Sequence, residues 1–385
     1  MIFEILICLH IVLYPTASQT ANADYGAGLN SGQNTKNMLL QFERINYSSL
    51  FKYDKNKAIT QMEKTQPSST PLCNPVIGIL TQPVSAGNRQ NSEFDQYILD
   101  VNREFVELSG SCAVPIRYDL PENELLDLLA KINGVLFTGG ALVLINRKTK
   151  EQSQYYKTAK FIFNYCLERK DKYNEHFPIF GNCQGFQVLT LIVANDNIDI
   201  LEKFPALSNN RRVRWAFPNN EVKKESKFFE NFSQELIDKM ANNNLAYHAH
   251  FFAIHSRFYQ EIESLRKFFK VIATDTLIFG FSPYTTIIEA HDYPIYAILF
   301  HPEYQLQNYT GWLSLATNKN EDTIQIANLI SEFYKQESLK NEHKFENQEE
   351  FNKLRSEDVL ESSYDFLKNL VTVKANRYKK QTQTS

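Results

Sequence analysis

Gly181-Asn182-Cys183-Gln184-Gly185 sets a thiol between two glycines, after the apolar run Phe177-Pro178-Ile179-Phe180 and before another from Val188 to Val193. Strand, sharp turn and helix in that order make a nucleophile elbow, whose central side chain sits in a cramped backbone conformation that requires small neighbours. The helix aims its unpaired N–H groups and the positive end of its dipole at the turn, which favours thiolate over thiol. A nucleophilic thiolate needs a base that regenerates it and protonates the leaving group, and that base needs an orienting acceptor. His301-Pro302-Glu303, just past the apolar run Tyr293 to Phe300, offers both. In an extended segment residues i and i+2 face the same way, so a Glu303 carboxylate can accept one ring N–H of His301 while the other nitrogen faces sulfur. The bland reading of Cys183 is a small buried hydrophobe. It fits Cys8, Cys73, Cys112 and Cys166 better, because none of these has a glycine on both sides.

Positioning such groups takes a sheet. Asn74 to Thr81 reads as a buried strand, Tyr97 to Leu108 as a helix ending at Gly110, Ala113 to Ile116 as a strand and Glu122 to Leu129 as a helix. Gly134 to Phe137 follows as a strand running into Thr138-Gly139-Gly140, then a helix from about Gln154 to Lys170 leads to the strand before Cys183. The order β-α-β-α-β implies an α/β fold with a parallel sheet covered by helices on both faces, and such sheets place active sites at the C-terminal ends of their strands. A final helix from about Asp322 to Glu337 shows a core face at Ile324, Ala327, Ile330 and Phe333.

The chain has 385 residues, 43% of them hydrophobic, which suffices for one large domain with extensions. Its net charge of −3, with Lys and Arg scattered, gives no electrostatic footprint for nucleic acid or an acidic membrane, and neither partner is expected. Residues 1–18 read as a signal peptide, an apolar run followed by small residues and too short to span a bilayer. Asn46, Asn231 and Asn308 would then be N-glycosylation acceptors. Residues 19–73 form a polar linker or pro-segment, 74–337 the catalytic domain and 338–385 a charged extension, expected to be a solvated tail with one peripheral helix at Val359 to Leu370. Four cysteines remain beyond the leader. With Cys183 as nucleophile three are left, which cannot all pair, and their spacings suggest no disulfide framework. Neither a CxxC pair nor a metal-ligand pattern is present, and no cofactor is expected.

Gly-Asn-Cys-Gln-Gly and His-Pro-Glu resemble class I glutamine-amidotransferase-like domains, with closer similarity to the gamma-glutamyl hydrolase family. The resemblance runs from about residue 74 to 355, through Pro75 to Leu80, Ile132 to Gly140, Phe177 to Leu189 and Tyr293 to Glu303. It implies the three-layer, flavodoxin-like fold of that class and a lysosomal, vacuolar or secreted thiol peptidase that cleaves γ-glutamyl bonds in folylpoly-γ-glutamates. Carried onto these residues, it makes Cys183 the nucleophile, His301 the general base and acid, and Glu303 its orienter. Oxyanion donors would be the N–H of Gln184 and one from Gly139 or Gly140. A substrate-binding histidine is expected in Tyr247 to His255, at His250, with His248 as the fallback. The resemblance leaves a homodimer open.

Three positions depart from the family pattern. Gln187 stands where an acidic residue lies near the substrate amine, Thr138 where proline commonly precedes the glycine pair, and Ala141 where serine often follows. An amide supplies no charge, so substrate specificity is where a difference is expected. Arg89 and Arg147, in loops near strand ends, are candidates to meet substrate carboxylates. Two other readings compete: a glutaminase domain of an amidotransferase, and a paralogue that binds γ-glutamyl compounds without turnover.

Overall fold

The computed structural model of the chain describes residues 73–83, 94–276, 282–306, 317–356, 359–365 and 372–379. Strand β1 (Val76–Leu80) alternates its side chains between two apolar layers. Ile77 and Ile79 join Phe105, Leu136, Phe180 and Tyr334, while Val76 and Leu80 join Leu129, Val135, Phe186 and Leu189. Burial on both sides explains why the strand reads as an unbroken apolar run. Around β1 an eight-stranded sheet forms in the order β4-β1-β5-β6-β12-β11-β10-β8. Here β4 is Cys112–Ile116, β5 Gly134–Phe137, β6 Ile179–Asn182, β8 Arg214–Trp215, β10 Phe269–Thr276, β11 Pro283–Ala290 and β12 Ile295–Ile298.

The strands from β4 to β12 are parallel, and β11, β10 and β8 extend the sheet antiparallel. Helices α1 (Asp100–Glu107), α5 (Gln234–Asn242) and α6 (Glu321–Ser338) bury their apolar faces in one layer. Helices α2 (Glu122–Leu129), α3 (Gln154–Tyr173) and α4 (Gln184–Val193) cover the other. The expected α/β architecture, a sheet with helices on both faces, is the one observed. Two smaller sheets flank it: β13-β14-β3-β2, and the pair β7-β9. In these, β2 is Gln82–Pro83, β3 Phe94–Leu99, β7 Leu201–Arg211, β9 Ala246–Ile254, β13 Val359–Asp365 and β14 Thr372–Lys379.

Four expectations need correction. Tyr97 lies on β3, and the helix expected from it begins at Asp100, because Tyr97 pairs with Gln82 on one side and Arg377 on the other. Ile324 is only half-buried; the α6 core face runs through Ile326, Ala327, Ile330, Phe333 and Tyr334. The residues after 338 are not a solvated tail, since Phe345 and Phe351 are buried in the core and β14 pairs with β3, and Val359–Asp365 is a strand and not a helix because β14 supplies it with a partner distant from any local pattern. Cys73 and Cys112 form a disulfide across 39 residues, which leaves Cys166 and Cys183 as free thiols among the described residues. Position β1 beside β4 brings the two together, and no spacing rule conveys that pairing.

The expected leader, nearly all of the polar segment, Asn46, Arg89 and Asn308 lie outside the described residues. Asn231 is exposed in a turn. Among the described residues no helix is long and apolar enough to cross a membrane.

Candidate active site

Cys183 sits between β6 and α4 at φ 50° and ψ −100°, a conformation that non-glycine residues rarely adopt. Its neighbours are glycines because space runs out. A Cβ on Gly185 would lie 2.1 Å from the carbonyl oxygen of Phe137, and one on Gly181 would lie 2.8 Å from the carbonyl carbon of Gly185. The backbone N–H of Cys183 donates to Ile298 O across 2.8 Å, so β12 fixes the turn from the adjacent strand. The thiol itself is 3% exposed. As α4 begins at Gln184, the first N–H groups of that helix have no intrahelical acceptor and face the turn.

His301 follows β12, and its Nδ1 lies 2.7 Å from Glu303 Oε1. Strand alternation does not produce this contact. Pro302 takes helical angles and Glu303 opens a 3₁₀ turn, which folds the carboxylate back toward the ring. The carboxylate accepts, so Nδ1 donates. Nε2 is buried with no hydrogen-bond partner among the described residues. Burial disfavours the charged ring, but the charges of Cys183 and Glu303 outweigh it and hold His301 well above the usual histidine range. A protonated His301 ring is the state these contacts favour. Tyr304 stacks on the ring at 4.6 Å and the backbone N–H of His301 donates to Tyr247 O, so the imidazole is fixed on several sides.

Gly139 closes the site. A Cβ there would meet His301 Cε1 at 2.6 Å and Cys183 Cβ at 3.3 Å, so the glycine backbone lies directly against both. The side chain of Gln184 accepts from Leu142 N–H at 3.1 Å and donates to Leu142 O at 2.9 Å, which clamps the loop that leaves Gly140. The start of α4 and the backbone at Gly139 thus flank Cys183 on two sides.

A family model for peptidase C26 matches residues 75–303, a span that holds the elbow, the glycine pair and His301-Pro302-Glu303. The chain belongs to the peptidase C26 family. A gamma-glutamyl hydrolase from Rattus norvegicus is 32% identical over 277 residues, 71% of this chain and 80% of the relative. Gamma-glutamyl hydrolase 1 of Arabidopsis thaliana is 30% identical over 320 residues, 80% of this chain and 87% of its own. The Homo sapiens gamma-glutamyl hydrolase is 30% identical over 295 residues, covering 75% and 85%.

In this peptidase C26 member, His248 and His250 on β9 are both buried, with His248 Nδ1 3.1 Å from His250 Nε2. Burial, then the charges of Arg211 and His301, push His248 down to about 3; burial, His248 and His301 push His250 well below the usual range. Both rings are neutral, and Nδ1 of His250 is left without a partner among the described residues. Gln187 Nε2 donates to Phe252 O at 2.8 Å and ties α4 to β9. Arg147 donates to Leu201 O on β7 and lies 5.9 Å from the Phe252 ring on β9, so the β7–β9 pair holds it. Two buried contacts had no place in the sequence reading. Tyr334 OH donates to Asn182 Oδ1 at 2.7 Å behind the nucleophile, and Gln82 bonds the glycine loop. A polar Thr81-Gln82 pair ending an apolar strand was the available signal for the second; no local signal joins residues 182 and 334.

Proposed function

We propose that the chain hydrolyses γ-glutamyl bonds in folylpoly-γ-glutamates and related poly-γ-glutamates, with Cys183 as nucleophile, His301 as general acid and base, and Glu303 as its orienter. The observation that carries this reading is Cys183 at a strained elbow with the buried His301–Glu303 pair against the same glycine. The gamma-glutamyl hydrolases among its relatives support the bond and substrate class.

Attack of the Cys183 thiolate on the γ-carbonyl carbon forms a C–S bond and places a negative charge on oxygen, which backbone N–H groups at Gln184 and the glycine pair receive. Collapse breaks the C–N bond as His301 Nε2 gives its proton to the leaving amine. Water then attacks the thioester, passes a proton to His301, and releases the γ-carboxylate and the Cys183 thiolate. His250, neutral and with a free nitrogen, offers a hydrogen bond to the substrate, and Gln187 shapes the same region from α4. The Cys73–Cys112 disulfide and the apolar leader favour an oxidising compartment, a lysosome, a vacuole or the cell exterior.

The test is hydrolysis of folate pentaglutamate by wild type and Cys183→Ala, with products resolved by chromatography and acid-quenched enzyme analysed by mass spectrometry. Cleavage by wild type alone, with a pteroyl-glutamyl or glutamyl adduct on Cys183, is expected. Turnover by Cys183→Ala at the wild-type rate would remove the nucleophile assignment.

A further inference from the structure

Gln82 is buried at the end of β2, and none of the chemistry above uses it. Its Nε2 donates to Gly139 O at 2.6 Å and reaches Thr138 Oγ1 at 3.3 Å. Its Oε1 accepts from Tyr97 OH at 3.0 Å. The amide orientation is unambiguous, because the Gly139 carbonyl can only accept and would repel an amide oxygen. Gly140 permits the approach: a Cβ there would stand 2.4 Å from Gln82 Nε2 and 2.6 Å from Oε1. Two consecutive glycines form the softest peptide in the loop, with no side chain to hold it. Oxyanion stabilisation requires donors that are fixed before the charge appears.

In a trans peptide the C=O of one residue and the N–H of the next point in opposite directions. Holding the Gly139 carbonyl against Gln82 therefore turns the Gly140 N–H away from Gln82. Gly139 lies against Cys183 and His301 on another side, as the close approach to both shows. We propose that Gln82, itself oriented by Tyr97, is a positioning residue that locks the Gly139–Gly140 peptide so that the Gly140 N–H, and not that of Gly139, is the second oxyanion donor beside Gln184. This assignment rests on the hydrolase reading given above. It also gives β3 a task, since Tyr97 reaches Gln82 from a strand that β14 and β2 bracket.

The experiment compares wild type, Gln82→Met, Gln82→Glu and Tyr97→Phe in the full chain. Four quantities are read: kcat and KM on folate pentaglutamate; the dissociation constant of the same substrate in a Cys183→Ala background; and the affinity of an N-acyl glutamate γ-semialdehyde, whose hemithioacetal on Cys183 places an oxygen where the oxyanion develops. For Gln82→Met and Gln82→Glu, kcat and aldehyde affinity fall together by about 10- to 100-fold, below the full loss of one oxyanion donor. KM and the substrate dissociation constant stay within about twofold. Tyr97→Phe, which leaves the Gln82 donor in place but unanchored, falls in the same two quantities by a smaller factor. Wild-type kcat and aldehyde affinity in a folded Gln82→Met would overturn the proposal, as would equal losses in substrate affinity and kcat. Failure of wild type to cleave the pentaglutamate would instead count against the hydrolase reading, and the aldehyde comparison would still decide whether Gln82 sets the donor.

Discussion

His301 and Glu303 meet across 2.7 Å through a turn at Pro302, although strand alternation alone would have suggested the same pairing. The difference matters for catalysis. A 3₁₀ turn closed by Pro302 carbonyl hydrogen bonding is stiffer than a strand end, and Glu303 is almost wholly enclosed. Replacing His301 by Ala is expected to lower kcat on folate pentaglutamate by about 10,000-fold, because the group that moves the proton is gone. Glu303→Gln, which keeps the shape and loses the charge, is expected to cost at least tenfold less, since it only orients and charges the ring. Equal losses in the two variants would contradict this division of roles.

The pH dependence follows from the same pair. His301 is buried, which opposes its charge, yet the Cys183 and Glu303 charges raise it above the ordinary value of 6.5. The charge on the His301 ring is complete below that ordinary value and is lost as pH rises through the raised one. The basic limb of kcat/KM should therefore lie above pH 6.5 in wild type and move to lower pH in Glu303→Gln. An unmoved basic limb would show that Glu303 does not hold the proton on the ring.

Glycines 139 and 185 should fail in different ways. A methyl on Gly185 meets backbone, the Phe137 carbonyl, and the elbow cannot form around it. A methyl on Gly139 meets the edge of the His301 ring, a side chain and not backbone, so the clash is relieved by displacing the ring from its contacts with Glu303 and Tyr304. Gly185→Ala is expected to unfold or aggregate, whereas Gly139→Ala should keep a wild-type melting transition and lose kcat by about 100-fold or more. Circular dichroism beside kinetics separates the two; a folded, active Gly185→Ala would disprove the steric account.

The elbow at Cys183, the His301-Pro302-Glu303 segment and the parallel half of the sheet were legible because each shows in a short local pattern. Glycine spacing announces Cys183, and apolar β-branched runs announce β1, β4, β5, β6 and β12. What stayed hidden depends on partners far away in sequence. Tyr97 looked helical because its apolar neighbours recur at three- and four-residue intervals, and only pairing with Gln82 and Arg377 makes it a strand. The Cys73–Cys112 bond, the Tyr334–Asn182 contact and the antiparallel strands β8, β10 and β11 are likewise set by tertiary neighbours. Gln187 illustrates the same limit: its residue type suggested altered substrate contact, while its donor is spent on Phe252 O.

That contact predicts the effect of restoring an acidic side chain. Gln187→Glu replaces a donor by an acceptor facing the Phe252 carbonyl, which removes the bond between α4 and β9 and sets two oxygens against each other, and should destabilise the fold by about 1–3 kcal/mol. Urea unfolding at neutral pH measures it, and an unchanged midpoint would mean that α4 and β9 do not depend on the bond.

Acid stability should depend on Glu337 at the far end of α6. Burial would raise its carboxyl, but hydrogen bonds from His176 and Lys340 prevail and lower it from 4.5 to about 2, with Tyr296 OH donating to the same carboxylate at 2.9 Å. A depressed carboxylate stabilises the fold above its unfolded value and loses that contribution as pH falls through the folded one, so the window lies between pH 4.5 and about 2. Glu337→Gln should lower stability at pH 6 by about 2–3 kcal/mol and flatten the fall in stability between pH 4.5 and 2. Chemical denaturation at a series of pH values reads both effects, and a variant whose stability fell with pH as steeply as wild type would place the acid-sensitive group elsewhere.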